Sequence, residues 1–423
     1  MHPYIVSLSA AEAVDADRFG PKAANLARLG RAGLPIPDGF CLDAEAYRVQ
    51  LAALDLQSTA RAVTAMDAGA ARRAALAMKL ALLDGPIVPD VLEPLRLAWR
   101  ALVDTTGAVT AVRSSALVED RFGSSFAGQF ESYLGVETEA DFITAVRSCW
   151  AAPWSTRVLR YMATHGASPA DTAMAVLVQP LVSARVAGGG LSRTAEEKMV
   201  LNATWGLGSA IAQGEVVPDR IVLTREGALS DTTTGRKLHR VGCVHGGGSV
   251  PRALSSAPCL TPAQAVELGR LLRKVEDVLG MPVEIEWALD GRGFKLLQAR
   301  PLHLAPPQVP DDIWLRHPGL NGQPAGVGWG AGRACVVNCE CELSRVGPGD
   351  ILVTKVAGPA LGYVLPQVAG VVAELGGSTS HLASLARERG IPMVLGVLDA
   401  TRRIPDGAQV AVDGVAGVVR WLV

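Results

Sequence analysis

The chain reads as a mixed α/β protein, α+β in layout, with a large N-terminal domain and a small C-terminal one. Three features predict this. Short apolar strands such as Met174 to Gln179 are interleaved with helical stretches through the first three hundred or so residues. A run containing Pro301, Pro306, Pro307 and Pro310 then breaks all periodicity and marks a semi-rigid linker over 303–318. Beyond it, short strands between glycine turns, with one or two helices, predict a compact α/β unit over 319–423. The large domain is expected to span 1–302, in two lobes of about 1–195 and 196–302.

Composition narrows the function classes. With 423 residues the chain is long enough for two or three full cores. A net charge of −1 argues against a general nucleic-acid binder, which needs a basic surface. No uninterrupted apolar run approaches the ~18 residues of a membrane span, and Met1 opens no leader of basic then apolar residues. Seven cysteines, an odd number scattered over a long chain, suit a reducing cytoplasm better than a disulfide framework. Cys335, Cys339 and Cys341 cluster, but their spacing matches no common zinc pattern. A cytoplasmic protein without membrane or nucleic-acid partners is expected.

In chain order, Gly20-Pro21 forms a loop leading into a helix with Lys22 in its first turn, where a cation can meet phosphate or simply be solvated. Residues 50–107 are rich in alanine and leucine at helical spacing and carry little chemistry. The strand Ala111 to Ala116 then delivers Arg113 into a loop of small residues that runs past Glu119 and Gly128 to Ser132. Arginine's planar fork suits phosphate oxygens, and such a loop can close over a polyphosphate with its amides; most Ser/Gly loops are ordinary connections. Met174 to Gln179 is a buried strand ended by Pro180-Leu181. Glycine-rich turns at Gly206 to Gly208 and Gly214-Glu215 follow. Lys237, after Gly235, is either a phosphate contact or a solvated lysine.

Pro282 to Pro301 predicts two strands joined by a glycine turn. Alternation puts Glu284 and Glu286 on one face of the first strand and Gln298 and Arg300 on one face of the second. This is a wet polar face, or else what Mg²⁺ with a triphosphate requires: a few hard oxygen ligands and a fixed cation.

In the small domain, an apolar turn and strand from Val364 to Leu375 leads to Gly376-Gly377-Ser378-Thr379-Ser380-His381-Leu382. Ser380 is a good N-cap, Leu382, Leu385 and Ala386 repeat at helical spacing, and Gly390 with Pro392 ends the helix. His381 therefore falls in the first turn, beside unpaired backbone N–H groups that favour an anion. The positive helix end disfavours imidazolium and leaves a ring nitrogen free to attack phosphorus. The same dipole, with the Thr379 and Ser380 hydroxyls, would stabilise the phosphorylated ring.

The stretch from Gly376 to Val394 resembles the phosphohistidine signature of the phosphoenolpyruvate synthase and pyruvate phosphate dikinase family, with Leu382 where alanine is usual. The resemblance covers nearly the whole chain. The Lys22 loop resembles that family's Gly-Gly-Lys-Gly-x-x-Leu opening, with Pro21 and Ala23 replacing two glycines. The stretch from Val112 to Ser132 resembles its Val-Arg-Ser-Ser-Ala…Glu-Asp…Ser-Phe-Ala-Gly-Gln…Glu-Thr pattern, with Ser132 for threonine. Similar motifs occur in rifampin phosphotransferase. The resemblance implies an ATP-grasp nucleotide-binding domain followed by a swivelling phosphohistidine domain, using ATP and Mg²⁺. It implies Lys22, Arg113, Gly128, Ser132, Gln179, Leu181 and Glu215 around the nucleotide, Glu286 and Gln298 as metal ligands with Glu284 closer in or outside, and Arg300 on phosphate. It further implies catalysis by His381 with Arg300 and Arg113, giving AMP and phosphate. No counterpart of the family's phosphoenolpyruvate/pyruvate barrel is expected after Val423. The small-molecule acceptor is therefore expected between the domains, or on another polypeptide that carries the barrel. Two further readings are an ATP-dependent ligase that activates a carboxylate and a non-catalytic nucleotide-binding module.

Overall fold

A computed structural model describes residues 4–119, 126, 128–241, 248–249, 252–304, 314, 317 and 319–422. The chain divides into two compact units, Met1–Ser183 with Lys295–Arg300, and Ala184–Phe294 with Pro301–Val423.

The first unit is built on the strands β1 (Ile5–Ser7), β2 (Phe40–Leu42), β3 (Thr110–Ala116), β4 (Ser132–Val136) and β5 (Met174–Pro180). They form an antiparallel sheet in the order β1-β2-β5-β3-β4. Its centre is β5, whose Met174 to Val178 are all buried, as expected of a strand covered on both faces. The helices are α1 (Ala16–Arg31), α2 (Ala44–Ala53), α3 (Gln57–Ala62), α4 (Ala68–Asp84), α5 (Pro89–Thr106), α6 (Glu139–Ala151) and α7 (Thr156–Thr164). The alanine- and leucine-rich stretch is thus helical as expected, α5 ending at the left-handed Gly107. Trp150, Trp154, Tyr47, Phe19 and Phe142 fill the core, and the Trp154 indole donates to the Tyr47 hydroxyl at 2.9 Å. Lys295–Arg300 is tied into this unit by two bonds. The Leu296 N–H donates to the Pro35 carbonyl (2.8 Å), and the Asn25 amide donates to the Ala299 carbonyl (3.0 Å).

The second unit begins with β6 (Val186–Leu191), β7 (Lys198–Trp205), β8 (Asp219–Thr224) and β9 (Leu229–Thr233), with helices α8 (Ser209–Ala212), α9 (Arg252–Ser255) and α10 (Pro262–Leu279). A two-residue pair, β10 (His239–Arg240) with β11 (Gly248–Ser249), precedes β12 (Val283–Asp290). The antiparallel order is β12-β6-β7-β8-β9. α10 packs on this sheet; a capping box between Thr261 and Gln264 starts it and the left-handed Gly280 stops it. After Asp290 the chain turns into β13 (Gly293–Pro301), which supplies the segment Lys295–Arg300 to the first unit.

The remaining strands are β14 (Gly319–Asn321), β15 (Gln323–Pro324), β16 (Trp329–Val337), β17 (Ile351–Thr354), β18 (Gly370–Ala373), β19 (Met393–Leu395), β20 (Gln409–Asp413) and β21 (Val418–Trp421). They form one sheet, β14-β21-β20-β16-β17-β18-β19-β15, with parallel pairing from β16 to β19. α11 (His381–Glu388) and α12 (Ala400–Arg403) lie in the same stretch of chain. Most of the linker over 303–318 lies outside the described residues.

Two expectations on organisation differ from the structure. The division comes at Ser183/Ala184, so β6 belongs to the second unit, because it pairs with β7 on one edge and β12 on the other. The small module also shares one compact unit with residues 184–294 instead of standing apart. The physical reason lies in Gly188-Gly189-Gly190 of β6. A Cβ on Gly188 would meet the Asn202 carbonyl oxygen at 1.9 Å, and one on Gly189 would meet Thr379 Cβ at 2.5 Å. The glycines let the sheet close up and the module approach.

Candidate active site

Each compact unit gathers one group of the residues singled out above. In the first unit, α1 is kinked at Gly20, whose φ of 74° sets Pro21 and Lys22 at the start of a new helical run. A Cβ on Gly20 would meet the Ser115 carbonyl oxygen at 2.5 Å, so helix and β3 touch directly. The Ser115 hydroxyl donates to the Phe19 carbonyl (2.7 Å) and accepts from the Ala23 N–H (3.2 Å), locking the kink.

Lys22 is buried, and its ammonium donates to the Ser114 carbonyl (2.7 Å) and to Glu119 Oε1 (3.4 Å). Arg113, on β3, donates to the Leu297 carbonyl and, through Nη2, to Gln298 Oε1 at 3.2 Å. Arg300 is buried nearby in the same unit. Glu119 was not among the expected site residues, yet it is the hub of this cluster. Burial pushes its carboxyl above the ordinary range, while Lys22, Arg300 and Arg113 pull it back down. Three cations around one buried carboxylate make a site of net positive charge, suited to phosphate oxygens. The signal for Glu119 was present in its place between Arg113 and Gly128, where an acid separates two stretches read as phosphate-binding.

Other expected nucleotide contacts stand differently. The Gln179 side chain is buried and donates to the Pro37 carbonyl at 2.9 Å, so it holds the loop before β2. The Leu181 N–H donates to the Val109 carbonyl (2.8 Å), so that amide is committed to the backbone. Ser132 opens β4 directly opposite Arg113, and Gly128 takes a left-handed φ of 68°. Ser124 and Ser125 of the small-residue loop lie outside the described residues.

In the second unit, His381 is the first residue of α11, and the Ser380 hydroxyl caps it by accepting from the Ala383 N–H at 3.3 Å. The glycine pair before it lies against Val216–Pro218. The Gly376 N–H donates to the Val216 carbonyl (3.0 Å), and a Cβ on Gly377 would meet Pro218 Cγ at 2.4 Å. Register places Glu286, Gly189 and Asn202 in one row across β12, β6 and β7, with Glu284, Leu191 and Val200 in the next. Directly opposed residues share a face, so both glutamates lie on the face that Thr379 covers. Asn202 Oδ1 accepts from the Ser378 hydroxyl (2.7 Å) and the Thr379 hydroxyl (3.2 Å), and its amide donates to the Asp219 carbonyl (3.2 Å). Thr379, expected beside the phosphorylated ring, thus spends its hydroxyl on Asn202.

Glu284, expected at or near the metal, is engaged elsewhere. Its carboxylate accepts from the Ser384 hydroxyl (2.9 and 3.0 Å) and pairs with Arg387 Nη2 at 3.0 Å, all three groups being buried. Lys237, offered as a phosphate contact or a solvated lysine, is neither. It is fully buried on Asp219 Oδ1, whose two oxygens also accept from the Gly235 (2.8 Å) and Cys259 (2.7 Å) N–H groups. The backbone N–H of Glu215 bonds the Ala210 carbonyl at 2.9 Å. Cys339 and Cys341, which cluster in the sequence, form a disulfide. Among the described residues, no helix is long and apolar enough to cross a membrane, and no group of three or more His, Cys, Asp or Glu could hold a metal ion. A magnesium ion held largely by a substrate's phosphates and water needs no such group.

Comparison with known proteins adds to this geometry. A model of the pyruvate phosphate dikinase AMP/ATP-binding domain matches residues 16–313, and one of the PEP-utilising enzyme mobile domain matches residues 346–417. Phosphoenolpyruvate synthase of Pyrococcus furiosus is 30% identical over 96% of this chain and 57% of that protein. The Aeropyrum pernix enzyme is 31% identical over 95% and 56%, and that of Escherichia coli 30% identical over 95% and 55%. The chain spans about half the length of the curated relatives it matches.

Proposed function

The chain belongs to the pyruvate phosphate dikinase family, with an ATP-grasp domain and a phosphohistidine domain, and from that footing we propose that it is an ATP-dependent phosphotransferase working through phospho-His381. The observation that carries the proposal is His381 itself, the first residue of a serine-capped helix on a module whose family model is named for its mobility. That position stands at the positive end of a helix, which favours an arriving phosphoryl group.

In the proposed reaction the imidazole forms an N–P bond at the β-phosphorus of ATP as the bond from that phosphorus to the AMP oxygen breaks. AMP leaves, the γ-phosphoryl group is released to water as phosphate, and the phosphoryl group on His381 passes to a small-molecule acceptor. Lys22, Arg113 and Arg300 bind and orient the phosphates, and Glu119 keeps those cations in place. Mg²⁺, when bound, would neutralise phosphate charge, with Glu286 and Gln298 as its oxygen donors. Transfer through a histidine that visits and leaves also keeps water from the acceptor step.

A second reading places the acceptor site on a separate barrel-carrying chain. Turnover with ATP labelled at the β and γ positions tests both. AMP and labelled phosphate released on adding a small acceptor support the compact enzyme. Release only after adding a co-purifying protein supports the split one, and ADP as the sole product overturns the dikinase chemistry.

A further inference from the structure

Resting on that proposal, the second unit carries a feature the phosphotransfer scheme does not use. Glu284 lies one row along the sheet from Glu286, on the same face, and was expected to share its role at the metal. The geometry points to a different one: Glu284 is the docking latch of the phosphohistidine helix. Its partners come from α11, where Ser384 and Arg387 follow His381 at one and two turns. Both carboxylate oxygens are taken, Oε1 by the Ser384 hydroxyl and Oε2 by that hydroxyl and Arg387. The Arg387 guanidinium also donates to the Ala325 carbonyl (3.0 Å) and the Ser378 carbonyl (2.6 Å), so it ties the helix to the loop before His381 and to the module's own sheet. A carboxylate with both oxygens engaged by a hydroxyl and a guanidinium serves the helix first and is a poorer ligand for a hard cation. Fixing Ser384 and Arg387 fixes the phase of the helix, and with it where the His381 ring points.

The chemistry of the latch suits a module that must leave. Desolvation offsets most of the attraction within a buried ion pair, so the pair specifies geometry without contributing much net affinity. Around it the interface is mixed: Asn202 holds Ser378 and Thr379, and the Gln323 amide donates to the Pro218 carbonyl at 2.8 Å, while Gly377 abuts Pro218 and Gly396 abuts Val217. Such an interface registers the helix to within a fraction of an ångström and still opens. Removing one partner is another matter, because the remaining charge is left buried and uncompensated.

The test compares Glu284→Gln, Arg387→Gln and the reversed pair Glu284→Arg with Arg387→Glu against wild type. Three readouts are taken: single-turnover labelling from β-labelled ATP, the Mg²⁺ midpoint of that labelling, and hydrogen exchange of the α11 amides. A latch predicts that each single variant labels about a hundredfold more slowly, with the Mg²⁺ midpoint unmoved and α11 exchanging faster while α10 stays protected. It also predicts that the reversed pair recovers to within about tenfold. A raised Mg²⁺ midpoint in Glu284→Gln with normal labelling in Arg387→Gln would instead make Glu284 a metal ligand and overturn the latch. Singles that label like wild type, or α11 exchange that does not change, overturn it as well. If wild type takes no label at all, the phosphohistidine proposal has failed, and the exchange of α11 still decides the latch on its own.

Discussion

Gly189→Ala perturbs the docked helix through one methyl group. The new Cβ would stand 2.5 Å from Thr379 Cβ, 2.7 Å from its Oγ1 and 2.8 Å from its Cγ2, where carbon atoms in good contact stand about 3.5–4.0 Å apart. Roughly 1 Å must therefore be found. Rotating Thr379 does not help, because rotation leaves its Cβ in place. Strand β6 cannot retreat, since it is paired on both edges and the Trp287 indole donates to the Gly189 carbonyl at 3.0 Å. The segment that carries His381 has to move instead. A misplacement of about 1 Å costs on the order of a hundredfold in rate when it reaches the reacting groups. The φ of Gly189 lies outside the left-handed region, so alanine itself is not strained there and gains about 0.4–1 kcal/mol from the unfolded chain. The prediction is therefore twofold: a thermal midpoint below wild type, because forcing the segment aside costs about 1–3 kcal/mol against that gain, and labelling of His381 from β-labelled ATP about a hundredfold slower. Calorimetry and single-turnover labelling measure the two halves. Labelling at the wild-type rate would refute the account of how the module docks.

Other variants separate structural charges from functional ones. Asp219→Ala strands the Lys237 ammonium in the core and orphans the Gly235 and Cys259 N–H groups, so about 3–5 kcal/mol should be lost, measured as a lowered denaturant midpoint. Replacing both Asp219 and Lys237 with apolar residues of similar volume should recover most of that loss; if it does not, the pair has a role beyond packing. Lys22→Met should abolish labelling and also unmask Glu119, which the loss of Lys22 leaves with fewer charges to lower its pKa. A carboxyl whose folded pKa is raised contributes stability below its unfolded pKa and loses it as pH rises through the folded one. The variant's melting temperature should thus fall more steeply than that of wild type as pH rises above about 4.3; parallel curves would dissociate Glu119 from Lys22.

What the chain of residues disclosed depended on whether the signal was local. Ser380 as cap, His381 in the first turn and Gly390 past the helix end are spaced along a few residues, and all were legible. So were the helices of residues 50–107, where periodicity repeats over several turns. The position of β6 was not, because three adjacent glycines carry no alternating pattern and their purpose is set by Asn202 and Thr379, far along the chain. Alternation placed Glu284 and Glu286 on one face correctly but could not say that Arg387 would pair with Glu284. Lys237, two residues past Gly235, reads as exposed because its partner, Asp219, stands 18 residues earlier at the start of β8. The commitments of Gln179 to Pro37 and Thr379 to Asn202 were hidden for the same reason: hydrogen bonds across the fold leave no mark on neighbouring residues.

The central claim is that an imidazole carries the phosphoryl group. Phosphorus NMR of the intact protein after brief exposure to ATP and Mg²⁺ addresses it directly, followed by peptide mapping under alkaline conditions that preserve a phosphoramidate. The account predicts one acid-labile phosphorus on the peptide holding His381, absent in His381→Asn although that variant still binds ATP. A phosphoryl group on any other residue, or full turnover by His381→Asn, would contradict it.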